Sequence, residues 1–241
     1  MTRLCVLDTE TTGLDTAVAQ FVEIAALVFN NDDPGEMVTM FEELANPGVP
    51  IPPEAKATHH IQERDLINAR PPADVLLSMF QAMTPTSSVD YWVAHNAPYD
   101  RGILALVNSA FMQYKWIDTV QCSKHLWPEA PGHSNQVLRY WLELDVDHML
   151  PAGLYPHRAL YDVIVTTAIL RKMLESKTPE ELYDLSTKPA LLYKCNFPKH
   201  KGVLWKNVPK DYLQWAVKAP DMDPNVRHTA MYYLSTQTSL L

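Results

Sequence analysis

Asp8 and Glu10 stand one residue apart, after the apolar run Leu4-Cys5-Val6-Leu7 and before the turn signal Thr11-Thr12-Gly13. A short continuous apolar run reads as a strand buried on both faces. Residues i and i+2 of a strand share a face. A strand continuing through Glu10 would therefore present both carboxylates together at its C-terminal end. Anions that close raise each other's pKa. A divalent cation relieves the repulsion, and hard cations such as Mg²⁺ take carboxylate oxygens. Taken alone, the pair reads equally as a solvated loop mouth, so other acids must decide.

Two further stretches carry them. In "WVAHNAPYDRGIL" (92–104), Asp100 falls in the first turn of a predicted helix. An acid there also complements a helix N-terminus without any chemistry. In "YPHRALYDVIVTTAIL" (155–170), His157 precedes Asp162 by five residues. Five residues rotate an α-helix by roughly 140°, so the two do not share a helix face. If they act together, His157 belongs in the loop or first turn and Asp162 on the helix, and Pro156 allows that break. His157 alone would read as a partly buried, hydrogen-bonded histidine.

The elements that must position these residues follow from the pattern. Apolar and β-branched runs predict strands at Arg3 to Asp8, Val22 to Phe29, Met37 to Leu44, Tyr91 to Ala94 and Lys115 to Ile117. Helical spacing predicts helices at Glu54 to Thr58, Ala73 to Met83, Tyr99 to Ala110, Thr119 to Leu126, Ser134 to Leu144 and Arg158 to Ser176. Strands followed by mixed strands and helices imply an α/β or α+β sheet flanked by helices. Lys177 to Pro189 holds two prolines and few large apolar residues, and reads as a linker.

Composition bounds the function. With 241 residues, 47% hydrophobic and 20% charged, the chain suits one globular domain, or one domain plus a small appendage. Cys5, Cys122 and Cys195 are isolated, which argues against a disulfide framework or zinc site and for a reducing compartment. The N-terminus shows no secretory pattern, and no apolar run is long enough to span a bilayer. A cytoplasmic location with no membrane partner is expected. Net charge is −8, yet residues 186–228 carry eight Lys or Arg against three Asp. An acidic body with a basic tail results, and a lysine-bearing solvated surface is the plainer reading of that tail.

In order and spacing, three stretches resemble the motifs of the DEDDh group of the DnaQ-like exonuclease superfamily. "VLDTETTGL" is similar to the first motif, "VAHNAPYD" to the second and "HRALYD" to the third, over about residues 3–175. "ATHHI" (57–61) is similar to the segment in which a histidine, here His59, lies beside the 3′-terminal nucleotide. The resemblance implies an α/β, ribonuclease H-like mixed sheet flanked by helices. It divides the chain into an exonuclease domain (1–178), a linker (179–190) and a small basic, aromatic C-terminal module (191–241). It implies Asp8, Glu10, Asp100 and Asp162 as ligands for two Mg²⁺ ions, with Mn²⁺ able to substitute, and no other cofactor. His157 becomes the general base. The backbone of Thr9, Thr11, Thr12 and Gly13, with Leu14, His59 and Tyr99, would surround the last nucleotide, and Asn96 would brace the second motif beside it.

The implied reaction is two-metal hydrolysis releasing nucleoside 5′-monophosphates from DNA 3′ ends, single-stranded or duplex. Exonucleolysis of RNA, or a polymerase-bound proofreading role, are the alternatives. The tail segments "FPKHKG" (197–202) and "DYLQW" (211–215) resemble the exodeoxyribonuclease X branch, which favours DNA. Pro198 replaces a glycine of that branch. Proline cannot take positive φ, so the turn must be built differently. Trp205, Tyr212 and Trp215 offer stacking surfaces if exposed, but at least two of them are expected to form the module's core.

Overall fold

The computed structural model describes residues 2–83 and 88–238; Met1, 84–87 and 239–241, which fall within the two expected domains, lie outside them. Strand β1 spans Arg3–Thr11, β2 Phe21–Asn30, β3 Asp33–Leu44, β4 Tyr91–Ala94 and β5 Trp116–Asp118. They form one sheet in the order β3-β2-β1-β4-β5. β1–β2 and β2–β3 are antiparallel, and β1–β4 and β4–β5 are parallel. β1 is the central strand, and its apolar run is continuous because both faces are covered.

Alternation along β1 decides which face each side chain joins. Leu4 and Val6 pack with α4 (Thr119–Leu126), α5 (Asn135–Trp141), α6 (Ala159–Leu174) and α7 (Pro179–Ser186). Cys5 and Leu7 pack with α2 (Pro72–Met83) and α3 (Ala97–Val107). The same parity carries Asp8 and Glu10 onto the α6 side and Thr9 and Thr11 onto the α3 side. α6 is buried through Val163, Ile164, Val165, Ile169, Leu170 and Met173. Each such side chain contributes about 1.5–3 kcal/mol through burial. This anchors the helix that carries Asp162. The short helix α1 (Pro53–His59) starts with proline at its first position and lies by a satellite core of Val22, Ile51, Ile61 and Leu66.

Three boundaries differ from expectation in ways that matter. β1 runs on through Glu10 to Thr11, as paired carboxylates on one face require. α3 begins at Ala97 and stops at Val107, where Asn108 caps a following 3₁₀ turn instead of extending the helix. Where the sequence predicts a linker at 179–190, the first eight residues form α7. Thr178 and Glu181 cap it reciprocally, and Leu182 is buried in the body's core. Only residues 187–190 bridge to the C-terminal region.

That region, with helices α8 (Lys210–Lys218) and α9 (Pro224–Thr238), has its own small core of Cys195, Trp205, Val208, Leu213, Ala216, Val226 and Ala230. Trp205 is buried and Tyr212 packs against this core, while Trp215 is 46% exposed. In the turn after Phe197 the positive φ falls at Gly202 (+83°), and Pro198 opens a 3₁₀ turn. The region docks on the body through paired amides: Gln121 Nε2 donates to Asn225 Oδ1 (2.8 Å) and Asn225 Nδ2 to Gln121 Oε1 (3.2 Å).

Candidate active site

The end of β1 meets the start of α6. Carboxylate oxygens of Asp8, Glu10 and Asp162 lie within 4.8 Å of one another. Asp100 comes from the first turn of α3. Its Oδ1 accepts the Thr9 backbone N–H (3.1 Å) and the Thr9 hydroxyl (2.8 Å). Thr9 thus ties Asp100 to the strand that carries Asp8 and Glu10.

Burial and mutual repulsion hold all four carboxyls above the ordinary range. Burial first, then Asp100, Asp162, Glu10 and Glu23, raises Asp8 well above it. Burial, then Asp162, Glu23 and Asp100, pushes Glu10 up to about 8. Burial pushes Asp100 up to about 7 against the two Thr9 bonds, and Asp162 to about 6 against the nearby His157. A buried, crowded set of oxygen donors, with neither thiolate nor imidazole among them, fits Mg²⁺ or Mn²⁺. All four acids expected as ligands fit such ions in type, and three of them meet at one point.

His157 sits just before α6 at φ +63°, with its side chain exposed. Its backbone N–H donates to Asp162 Oδ2 (3.1 Å). Asn135, at the start of α5, makes a side-chain hydrogen bond to Asp162. Neither Asn135 nor Asp118, whose Oδ1 accepts the Asn96 N–H (3.1 Å) and caps α4, stands out in the sequence.

The residues expected at the nucleotide divide into exposed and internal groups. Leu14 is 90% exposed at the tip of the β1–β2 loop. The Tyr99 hydroxyl (2.7 Å) and the Thr11 hydroxyl (2.8 Å) both donate to the Gly13 carbonyl and pin that loop. Thr12 closes it further: its N–H donates to Gln20 O (2.9 Å) and its hydroxyl accepts from Gln20 N (3.0 Å). Asn96 is exposed in the left-handed region at φ 80° and opens α3.

His59 is turned into the protein. It is buried, and its Nδ1 accepts the Ile61 N–H (3.0 Å), so the ring proton sits on Nε2 and donates to Thr11 O (3.2 Å). Both nitrogens are spent inside the protein, and His59 braces the end of β1.

A fifth acid was not singled out from the sequence. Glu23 lies opposite Glu10 in the β1–β2 register, on the same face, and is 1% exposed. It accepts hydrogen bonds from Arg158 and from Ala159 N (2.9 Å), at the N-terminus of α6. The available signal was an acid inside the apolar run "FVEIAALVF".

The sheet order, the clustered carboxylates and the helix that brings Asp162 define a DnaQ-like exonuclease fold. The exonuclease family model matches residues 5–170, and the chain belongs to that family. Exodeoxyribonuclease 10 of Escherichia coli strain K12 is 30% identical over 237 residues, covering 96% of this chain and 98% of that protein. The structure is similar to that of exonuclease X in complex with 5′ overhanging duplex DNA, with a TM-score of 0.63 and 31% identity over 76% of this chain and 99% of the other. It also shares its fold with the nuclease domain of 3′hExo, a DEDDh family member bound to rAMP, at a TM-score of 0.56 and 16% identity over 72% and 92% of the two chains.

Among the described residues, no helix is long and apolar enough to cross a membrane.

Proposed function

We propose that the chain is a divalent-metal-dependent 3′-5′ exodeoxyribonuclease that releases nucleoside 5′-monophosphates. The observation that carries this reading is the convergence of Asp8, Glu10 and Asp162 oxygens within 4.8 Å, with Asp100 tied alongside through Thr9. The relative named exodeoxyribonuclease 10, matched along nearly its whole length, supports DNA as substrate.

Asp8, Glu10, Asp100 and Asp162 would hold two Mg²⁺ or Mn²⁺ ions. When bound, such ions lower the pKa of a water and stabilise the leaving 3′ oxyanion. The protein's own groups do the rest. The exposed His157 imidazole takes the proton of the attacking water on a ring nitrogen. Water oxygen bonds to phosphorus while the bond to the 3′ oxygen breaks, so the phosphate leaves on the terminal nucleotide's 5′ side. The backbone of residues 9–13 and the Leu14 side chain hold the terminal nucleotide, with Tyr99 and Thr11 fixing Gly13 beneath it.

The test is digestion of 5′-labelled single-stranded DNA, duplex DNA and RNA of matched sequence, with Mg²⁺ and with excess chelator. A ladder shortening from the 3′ end of DNA, mononucleotide product and no activity in chelator are expected. Undiminished hydrolysis in chelator would reject the metal reading. Faster loss of RNA than DNA would reject the substrate.

A further inference from the structure

We infer that Glu23 and Arg158 form a positioning pair that sets the start of α6 and keeps the Arg158 guanidinium off Glu10, so that the carboxylate site stays open to cations. This rests on the metal-dependent exonuclease reading above.

Glu23 shares its face with Asp8 and Glu10 and stands directly across from Glu10, yet it is absent from the group of converging oxygens. Its lone pairs are turned elsewhere. Oε2 accepts Ala159 N (2.9 Å) and Arg158 Nε (3.0 Å), and Oε1 accepts Arg158 Nε (3.1 Å) and Nη2.

The consequences follow from helix chemistry. The first N–H groups of a helix need acceptors from outside it, and an anion there also meets the positive end of the dipole. Arg158, the residue before α6, supplies no side-chain cap. Glu23, reaching from β2, fills the role. It thereby fixes the angle at which α6 leaves the sheet. That angle sets the position of Asp162, one turn into the helix, and of His157 on its entry.

The cation matters as much. Arg158 is three-quarters buried at its side chain, and its charge already lowers the Glu10 pKa. The planar fork is spent on Glu23, with a further hydrogen bond to Tyr155. Without Glu23's charge, the carboxylates still under the Arg158 charge are Glu10, in the cluster, and Glu42. A guanidinium turned onto Glu10 would compete with a divalent cation for the same lone pairs.

The pair therefore predicts an unusual order among variants. Glu23→Gln keeps an acceptor for Ala159 but loosens Arg158. It should weaken Mn²⁺ binding by about 10- to 100-fold, the scale seen when groups supporting metal ligands are removed. It should also lower kcat at limiting metal, while KM for the oligonucleotide stays near that of wild type. Glu23→Gln/Arg158→Met removes the competing cation as well, and should bind Mn²⁺ more tightly than Glu23→Gln alone.

The experiment is a calorimetric Mn²⁺ titration of wild type, Glu23→Gln, Arg158→Met and the double variant. Steady-state kinetics on a single-stranded oligonucleotide accompany it, all below the lowest melting temperature. Recovery in the double variant is the expected result. Wild-type Mn²⁺ affinity in Glu23→Gln, or a double variant that loses the sum of both single losses, would overturn the pairing. If Glu23→Gln does not fold, the double variant should bind Mn²⁺ as tightly as Arg158→Met, and a further loss of about tenfold or more would overturn the pairing. The Mn²⁺ titration needs no substrate, so a wild type inert towards nucleic acid would sink the exonuclease reading and leave this test standing.

Discussion

His157 donates its backbone N–H to Asp162 Oδ2 over 3.1 Å, while its side chain is exposed to solvent. One residue thus has two separable roles, a backbone bond to an acid of the cluster and a free imidazole. His157→Ala and His157→Gly delete the ring and keep the N–H. Both should lower kcat by about 10²–10⁴, the usual effect of a positioned general base. Mn²⁺ affinity should stay at the wild-type level in both, and glycine accepts φ +63° without strain. Weakened Mn²⁺ binding in the glycine variant would make the imidazole a ligand instead.

The acid cluster makes metal-free stability fall as pH rises. Glu10, Asp100 and Asp162 have folded pKa values of about 8, 7 and 6, above those of ordinary carboxyls. Between the unfolded values near 4 and these folded values, the native state binds more protons than the unfolded state. Stability therefore decreases with pH through that window, and Asp8, held well above the ordinary range, adds to the fall. Divalent metal binds the ionised form, so its stabilisation should be larger at pH 8 than at pH 5.5. Melting curves at both pH values, with and without Mn²⁺, check this; an increment independent of pH would refute it. Asp162→Ala should flatten the metal-free slope and abolish hydrolysis while the fold persists.

Much of this site was legible in the sequence because strand geometry is rigid. An apolar run that alternates between two cores forces Asp8 and Glu10 onto one face, whatever else the chain does. His157 and Asp162 were separable because five residues cannot share a helix face. Three things were hidden. α7 fully buries only Pro179 and Leu182, with Tyr183 and Leu185 half-buried against the core, so its apolar signal is too thin to stand against flanking prolines. The roles of His59 and His60 depend on which one faces inward, and adjacent histidines carry no pattern for that. His60 takes φ 61° at the helix end, and His59 turns in to Thr11. Glu23 lies inside an apolar strand with its partner 135 residues away, so the sequence shows no local pair for it.

Leu14 offers the most exposed large apolar side chain of the molecule's described residues, on a loop whose Gly13 carbonyl is held by two hydroxyls. Leu14→Ala removes several carbons that would cover a terminal base. At about 0.8 kcal/mol per buried methylene, KM should rise about fourfold for each of the lost carbons that covers the base, with kcat nearly unchanged. Tyr99→Phe keeps the ring but loses one of the two bonds to Gly13, and should raise KM less. A fall in kcat with constant KM for Leu14→Ala would remove Leu14 from substrate binding.

A groove of about 940 Å³ separates the C-terminal region from the body, lined by Lys124, Lys194, Lys201, Tyr193, Phe197 and Trp215 among others. One wall is the loop 128–133, and two residues beyond it Asn135 bonds Asp162. Glu129, Asp221 and Asp223 also line the groove, so its charge is close to balanced, and stacking should outweigh phosphate binding there. Trp215→Ala should weaken binding of a long single strand by about 1–3 kcal/mol, the worth of one base–aromatic stack. Lys194→Ala/Lys201→Ala should weaken it less. Every phosphate left without its lysine should flatten the salt dependence by a slope of about 0.7. Hydrolysis of a di- or trinucleotide should be unaffected in all these variants, because its phosphates end at the cluster. If the region only stabilises the body, Trp215→Ala lowers the melting temperature and long and short substrates suffer alike. Equal weakening on both lengths, with an unchanged salt slope, would assign the groove no part in holding the strand.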